Sequence, residues 1–461
     1  MKRALAPVVA ATLAVLLTGC ASLPAAPAPA APVAVELTSP LAAPATIRFR
    51  LDRPVTALHF ADDLGGYRQR EWRIVAPGFH WVVEPADATL GTIQGERIER
   101  VDGAPFTEVS FTVEQRYRAL PKNYAPFSPF SDGGVLIYSG FLHACTAFPC
   151  SGAGPVAMRI VAPGRQIRSG GQVAIGEARY VSADDGTNIY VGNRRPVAAN
   201  GVDAIIDPAL PATVGGRLSQ SLPAATTYFS RSLGPLSFTP ALFVSLDPRR
   251  QPDGHVSTQG GTLPGQIFMH FDGEGPADRF DADKTVWLDW FFAHEVAHLF
   301  QRDKTGNRSG DDAIAWMHEG GADAMAALAL IDQQRSDYVR SRVETAASDC
   351  AAALAQGPLT TATARGSFDA HYACGLIAHL ALDADLRGHG SNLAAFNAHL
   401  FAAVRGGAPW SEASWFEAAR AEGASAQTLV LLTRLVGADA PAAITALGEA
   451  SARARQVGNS A

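Results

Sequence analysis

The chain is 461 residues long, with 18% charged and 47% hydrophobic residues and a formal net charge of −6 at neutral pH. No basic cluster stands out against that balance, so the chain lacks an electrostatic footprint for nucleic acid, and nucleic acid is not expected as a partner. The roughly 415 residues that follow the N-terminal region are too many for one ordinary core, and two or three domains are expected.

Met1-Lys2-Arg3 is a basic opening, Ala4 to Leu17 is an apolar run too short to span a bilayer, and Leu17-Thr18-Gly19-Cys20 closes it. This arrangement resembles a bacterial lipoprotein signal with its lipobox. The resemblance implies a signal peptide over 1–20, cleavage before Cys20, acylation of that cysteine and a lipid anchor in the membrane. With Ala21 following the cysteine, the sorting pattern implies a place in the cell envelope on the outer membrane, facing the periplasm. From Ala21 to Ala45 the chain is Ala, Pro, Val and Ser with almost no charge, which reads as an extended tether.

Residues 46–173 read as β. Thr46 to Leu51 and Thr107 to Val113 alternate polar and apolar with period two, and Val135 to Tyr138 and Val156 to Val161 continue the pattern between Gly, Pro and Asp clusters. Such spacing predicts an antiparallel β-sandwich without a catalytic constellation, in which His59, His80 and His143 are structural. Strand-like pieces continue at 178–181 and 188–191, so the domain boundary is blurred. A helix is expected from Gly216 to Leu233 despite Pro223, then buried strands at 240–246 and 266–271. Two strands followed by the helix described next make the 174–335 region an α+β domain, with that helix lying against the sheet. Residues 336–461 are Ala-rich with repeated helical spacing and form a helical domain closing one side of the cleft. The fold class is therefore multidomain α+β. Apart from Cys20 four cysteines remain, which allow three pairings. Cys145 and Cys150 flank a short loop, and Cys350 and Cys374 share one C-terminal region, so Cys145–Cys150 and Cys350–Cys374 are the expected bridges of an oxidising compartment.

The chemistry concentrates between Phe291 and Asp323. His294 and His298 lie four apart on a helix expected over 284–302, so their imidazoles share a face and can converge on one metal ion. Glu295, about 100° round the helix, can hold a water without ligating the metal. Glu319, on a second helix expected over 312–331, is the third ligand that a catalytic zinc requires, and Asp323 follows it by one turn, placed to accept the outer N–H of a ligating imidazole. One Zn2+ per chain is the expected cofactor. An amphipathic helix with core histidines is the bland alternative, but burying two histidines and a glutamate without purpose is costly.

His294-Glu295-Val296-Ala297-His298 followed by Trp316-Met317-His318-Glu319-Gly320-Gly321-Ala322-Asp323 resembles the gluzincin zinc peptidases, and Tyr372-Ala373-Cys374-Gly375-Leu376 is similar to the tyrosine segment of aminopeptidase N and glycyl aminopeptidase relatives. The resemblance implies a thermolysin-like zincin catalytic domain and a peptidase acting on peptide or protein substrates. His294, His298 and Glu319 become zinc ligands, Glu295 the general base, and Tyr372 the donor to the transition-state oxyanion, with His371 as the alternative donor. Thr258 to Gln266 matches the family's substrate-binding strand through Gly260 and Gly261, which allow close backbone approach, but has no acid to bind an α-amine. Cys374 stands where the family's tyrosine segment has lysine. Aminopeptidase activity is therefore not implied, and a zincin-like lipoprotein serving as a binding or scaffolding module is the alternative.

Overall fold

In the computed structural model of the chain the described residues are 33–41, 43–60, 64–83, 96–120, 123–147, 150, 155–183, 186–199, 201–249, 257–273, 286–308 and 311–458. The expected signal peptide, Cys20 and the first part of the expected tether lie outside them. Among the described residues no helix is long and apolar enough to cross a membrane.

The first strand, Val33–Thr38, falls inside the stretch that composition assigned to the tether. It pairs antiparallel with 46–51 and parallel with 157–161, and buries Val33, Val35 and Leu37. Its short V-A-V-E-L-T alternation becomes decisive once partners flank it on both sides. The β region also runs past residue 173, because the Gln172–Ser182 and Asn188–Gly192 strands belong to the same nine-stranded sheet. That sheet and a four-stranded one share a core containing Phe49, Phe60, Trp72, Phe111 and Phe141. Trp72 is its centre, with ring centroids 5.6 Å from Phe60 and 5.1 Å from Phe111. The expected sandwich is therefore present, with one parallel pairing at its first strand.

A separate five-stranded sheet carries the site. Val202–Ile206, Ala241–Asp247 and Gln266–Asp272 run parallel, and Val197–Ala199 and Ser257–Leu263 flank them antiparallel. Every residue of Gln266–Asp272 is buried because the sheet is covered on both faces. Leu242, Val244, Ile267 and Met269 face the helices, whereas Phe243 and Phe268 pack on Tyr138, Tyr190 and Phe130 of the β-sandwich. The Ala212–Leu233 helix forms the crossover and continues through Pro223. It holds the helix Val286–Thr305 through Phe229 against Phe300, with centroids at 5.5 Å, and through a two-pronged Arg217–Asp289 ion pair with both contacts at 2.9 Å.

The helices after the metal-site helix add to the core of the five-stranded sheet; one apolar cluster runs from Val202 to Val457. The disulfides Cys145–Cys150 and Cys350–Cys374 are both formed, the second joining Ser336–Leu354 to Asp369–Gly388. Glu319–Asp332 begins only at Glu319, after a 3-10 turn at Asp312–Ile314, so the expected helix over 312–331 is broken before the glutamate. This helix meets Asp369–Gly388 glycine to glycine. A Cβ on Gly320 would lie 2.3 Å from the Gly375 Cα, and one on Gly375 would lie 2.5 Å from the Trp316 carbonyl oxygen. Backbone therefore rests on backbone, and neither position tolerates a methyl without separation of the helices. Gly375→Ala should cost about 1–3 kcal/mol in urea unfolding, while Gly448→Ala, whose Cβ would meet nothing within 4 Å, should stabilise by about 0.5–1 kcal/mol through helix propensity. Equal effects at the two glycines would show that the crossing is not tight.

Candidate active site

The Val286–Thr305 helix brings His294, Glu295 and His298 to one end of the sheet, and the N-terminus of Glu319–Asp332 brings Glu319. Their candidate ligand atoms all lie within 4.8 Å of one another. The two Nε2 atoms are 2.9 Å apart, and a Glu319 carboxylate oxygen is 3.1 Å from that of His298 and 3.4 Å from that of His294.

The outer nitrogens settle what these atoms offer. His294 Nδ1 lies 2.8 Å from Asp323 Oδ1, an oxygen that also accepts the Trp290 indole N–H at 2.9 Å. His298 Nδ1 lies 2.8 Å from Gln301 Oε1, and Gln301 is oriented by donating its amide N–H to the His318 carbonyl at 2.9 Å. Both Nδ1 atoms therefore carry hydrogens, which leaves the two Nε2 atoms, facing each other and a carboxylate, as the positions that can take a proton or offer lone pairs to a metal ion. Such a cluster requires a positive charge at its centre. The same demand appears in the titration of the groups. Burial works to lower the His294 pKa, but Asp323 and Glu319 outweigh it and hold it well above the usual imidazole range. Burial works to raise that of Glu319, but His298, His294 and His318 hold it well below the usual carboxylate range. Two imidazole nitrogens and one carboxylate oxygen, with their outer partners fixed, match the donor set of a zinc ion that keeps a fourth position open.

Glu295 is 6% exposed and lines the cleft beside this cluster. The Thr262 hydroxyl lies 2.6 Å from its carboxylate and 3.0 Å from its backbone carbonyl, a contact between strand and helix that sequence reading did not identify. Thr262 follows Gly260 and Gly261 on the Ser257–Leu263 strand, which is the outer strand of its sheet. The glycines also have an internal reason. A Cβ on Gly260 would lie 2.4 Å from the Phe291 ring, and one on Gly261 would lie 2.6 Å from the Tyr124 hydroxyl. Tyr124, from the β-sandwich, is a second residue the sequence did not single out; its segment is docked by Gln259, which accepts from the Ala125 N–H at 2.8 Å and donates to the Asn123 carbonyl at 3.0 Å.

Tyr372 faces the cleft. Its ring stacks on His294 with centroids 5.7 Å apart, and its hydroxyl bonds to Glu319. Burial and then the Glu319 charge raise its pKa, so the phenol keeps its proton. His371 does not line the cleft. It is fully buried, with Nε2 3.0 Å from the Thr363 hydroxyl and its ring against Phe368, and burial lowers its pKa to about 4. Of the two donors expected for the oxyanion, only the tyrosine is within the cleft. His379 is a core histidine, bonded to the Gly375 carbonyl and the Trp415 indole.

The chain is similar in structure to M1 zinc metallopeptidases. It aligns with such an enzyme from Deinococcus radiodurans at 16% identity over 88% of this chain and 93% of that one, with a TM-score of 0.45. A variant of that enzyme bound to a Tyr-Ser-Ala substrate aligns at 17% identity, over 87% and 92%, with a TM-score of 0.47. Yeast LTA4 hydrolase aligns at 12% identity over 87% of this chain and 66% of its own length, with a TM-score of 0.48. No family model matches the sequence, and no curated protein matches it. At these identities and TM-scores the likenesses stand beside the site geometry without adding to it.

Metal analysis of the purified protein should find one zinc per chain, and a chelator should lower Tm by removing binding energy that belongs to the folded state. Asp323→Ala should weaken zinc affinity by about 10–100-fold through the freed His294 ring; an unchanged affinity would remove Asp323 from that role.

Proposed function

We propose that the protein is a zinc-dependent peptidase that hydrolyses peptide bonds in peptides or proteins of the cell envelope, where a lipid on Cys20 anchors it to the outer membrane. One observation carries the catalytic part of this reading: Glu295, a buried carboxylate held by Thr262, lines the cleft with the three-atom candidate metal cluster and the outer strand Ser257–Leu263. A site kept for metal-dependent structure alone has no use for that carboxylate. The location rests on the lipoprotein-like signal of residues 1–20 and on two disulfides that suit an oxidising compartment.

His294, His298 and Glu319 would hold the zinc ion, which when bound would supply Lewis acidity toward a water and the substrate carbonyl. The substrate backbone lies along the Ser257–Leu263 edge, its scissile bond beside Glu295. Glu295 takes a proton as the water oxygen adds to the carbonyl carbon, and returns it to the nitrogen as the C–N bond breaks, leaving a carboxylate and an amine. Tyr372, whose pKa is raised and whose hydroxyl remains protonated, donates to the carbonyl oxygen as negative charge grows on it. The buried ring of His371 takes no part.

Glu295→Gln should abolish cleavage of a broad peptide library while zinc content and Tm stay near those of the wild type. Tyr372→Phe should lower kcat by about 10²–10³-fold, the range for loss of one oxyanion donor. Full zinc occupancy without turnover by the wild type would overturn the reading.

A further inference from the structure

Between the Val286–Thr305 and Ser336–Leu354 helices lies a cavity of about 540 Å³ that opens onto His294, Glu295 and Tyr372. Trp287, Trp290, Phe291 and Tyr338 make its wall, and Arg342 reaches into it. The Arg342 guanidinium sits over the Trp290 ring, 5.0 Å from its centroid. It forms no ion pair and no hydrogen bond among the described residues, and its Nε is buried without a partner. Four carboxylates line the same cavity: Glu295 and Asp323 are buried in the candidate metal site and held by Thr262 and by His294 and Trp290, Asp349 and Asp369 are solvent-exposed, and none of the four pairs with Arg342 among the described residues. Three other arginines are engaged by carboxylates: Arg217 grips Asp289, Arg387 grips Asp383 and Arg453 grips Glu449.

A half-buried guanidinium held over an indole is restrained and less hydrated than a free one, the condition in which its fork binds a carboxylate through two parallel N–H donors. The indole is itself fixed, because Trp290 donates to Asp323, which holds His294. The cation is thus tied to the metal cluster through two intervening side chains, within reach of a substrate residue close to the scissile bond.

We propose that Arg342 is a specificity-determining residue that binds a carboxylate of the substrate, close to the bond being cut. The carboxylate is either the peptide's own terminus or an Asp or Glu side chain. This inference rests on the peptidase reading above, but its binding half can be measured without turnover. The zinc-loaded full chain is given one peptide series in three forms: free acid against C-terminal amide, Glu against Gln, and Lys at the same positions. Affinities of the same peptides are measured on Glu295→Gln. Wild type should favour the carboxylate member by about 10–100-fold in kcat/KM, and Glu295→Gln should show the same order in Kd, as expected for loss of a charged hydrogen-bonded partner. Arg342→Gln should reduce that ratio to near one, mainly through KM, and Arg342→Lys should restore part of it. A ratio carried by acid against amide identifies the terminus, and one carried by Glu against Gln identifies the side chain. Equal treatment of the series, a preference for Lys that assigns recognition to Asp349 and Asp369, or a preference that survives Arg342→Gln overturns the proposal. Arg342-dependent carboxylate binding without any cleavage supports it while overturning the peptidase reading; neither binding nor cleavage overturns both.

Discussion

The site depends on one close approach. Glu319 is the residue before Gly320, and Tyr372 stands almost one helical turn before Gly375. Because these glycines let the two helices touch backbone to backbone, a ligand on one helix and a phenol on the other meet over the same histidine face. Any side chain at the crossing would separate the helices by the width of a methyl group, a displacement comparable with the tolerance of a catalytic hydrogen bond. The Cys350–Cys374 bridge lies on the same helix as Gly375 and fixes its other flank to Ser336–Leu354. The position of Tyr372 is thus set from two sides.

That geometry gathers negative and lone-pair-bearing groups at a cost that the rest of the site explains. Asp323, Glu319 and Glu295 are drawn into one poorly solvated region, and the basic groups in direct contact with Glu319 and Asp323 are imidazoles. Such a cluster is stable with a cation and strained without one. Trp290, Gln301 and Thr262 orient Asp323, His298 and Glu295 through hydrogen bonds without adding charge. Arg342 sits over the Trp290 ring and pairs with no carboxylate of the centre among the described residues.

The β-sandwich takes part as well. It covers the second face of the five-stranded sheet, and it places Tyr124 against Gly261 and the Asn123–Ala125 segment against Gln259. One boundary of the cleft is therefore built from a domain that carries no ligand. This explains why glycines occur at 260 and 261: they admit Phe291 and Tyr124 as well as leaving a strand edge open.

How much of this was legible in the sequence follows from the range over which each feature is specified. The histidine pair, Glu295 and the Glu319–Asp323 spacing are properties of single helices, where a period of 3.6 residues fixes which side chains share a face. Alternation likewise revealed long strands of the sandwich such as those at 46–51, 107–113 and 156–161, but it did not single out Ala57–Phe60, Phe79–Val83 or Glu96–Arg100 and it failed at Val33–Thr38, whose Ala- and Pro-rich surroundings hide a pattern that only two flanking strands make meaningful. Thr262 and Glu295 are 33 positions apart and Gln259 and Ala125 are 134 apart, so no local period relates them. His371 and Tyr372 show the limit most plainly. They are neighbours about 100° apart on one helix, and the sequence offered both as donors. By itself the sequence determined the candidate metal-binding set, because His294 and His298 on one helix, and Glu319 and Asp323 on another, each recur at the helical period. Which of two adjacent rings enters the cleft was decided only by the tertiary structure, because the rotation of that helix is set by the Gly320–Gly375 contact and the disulfide beside it.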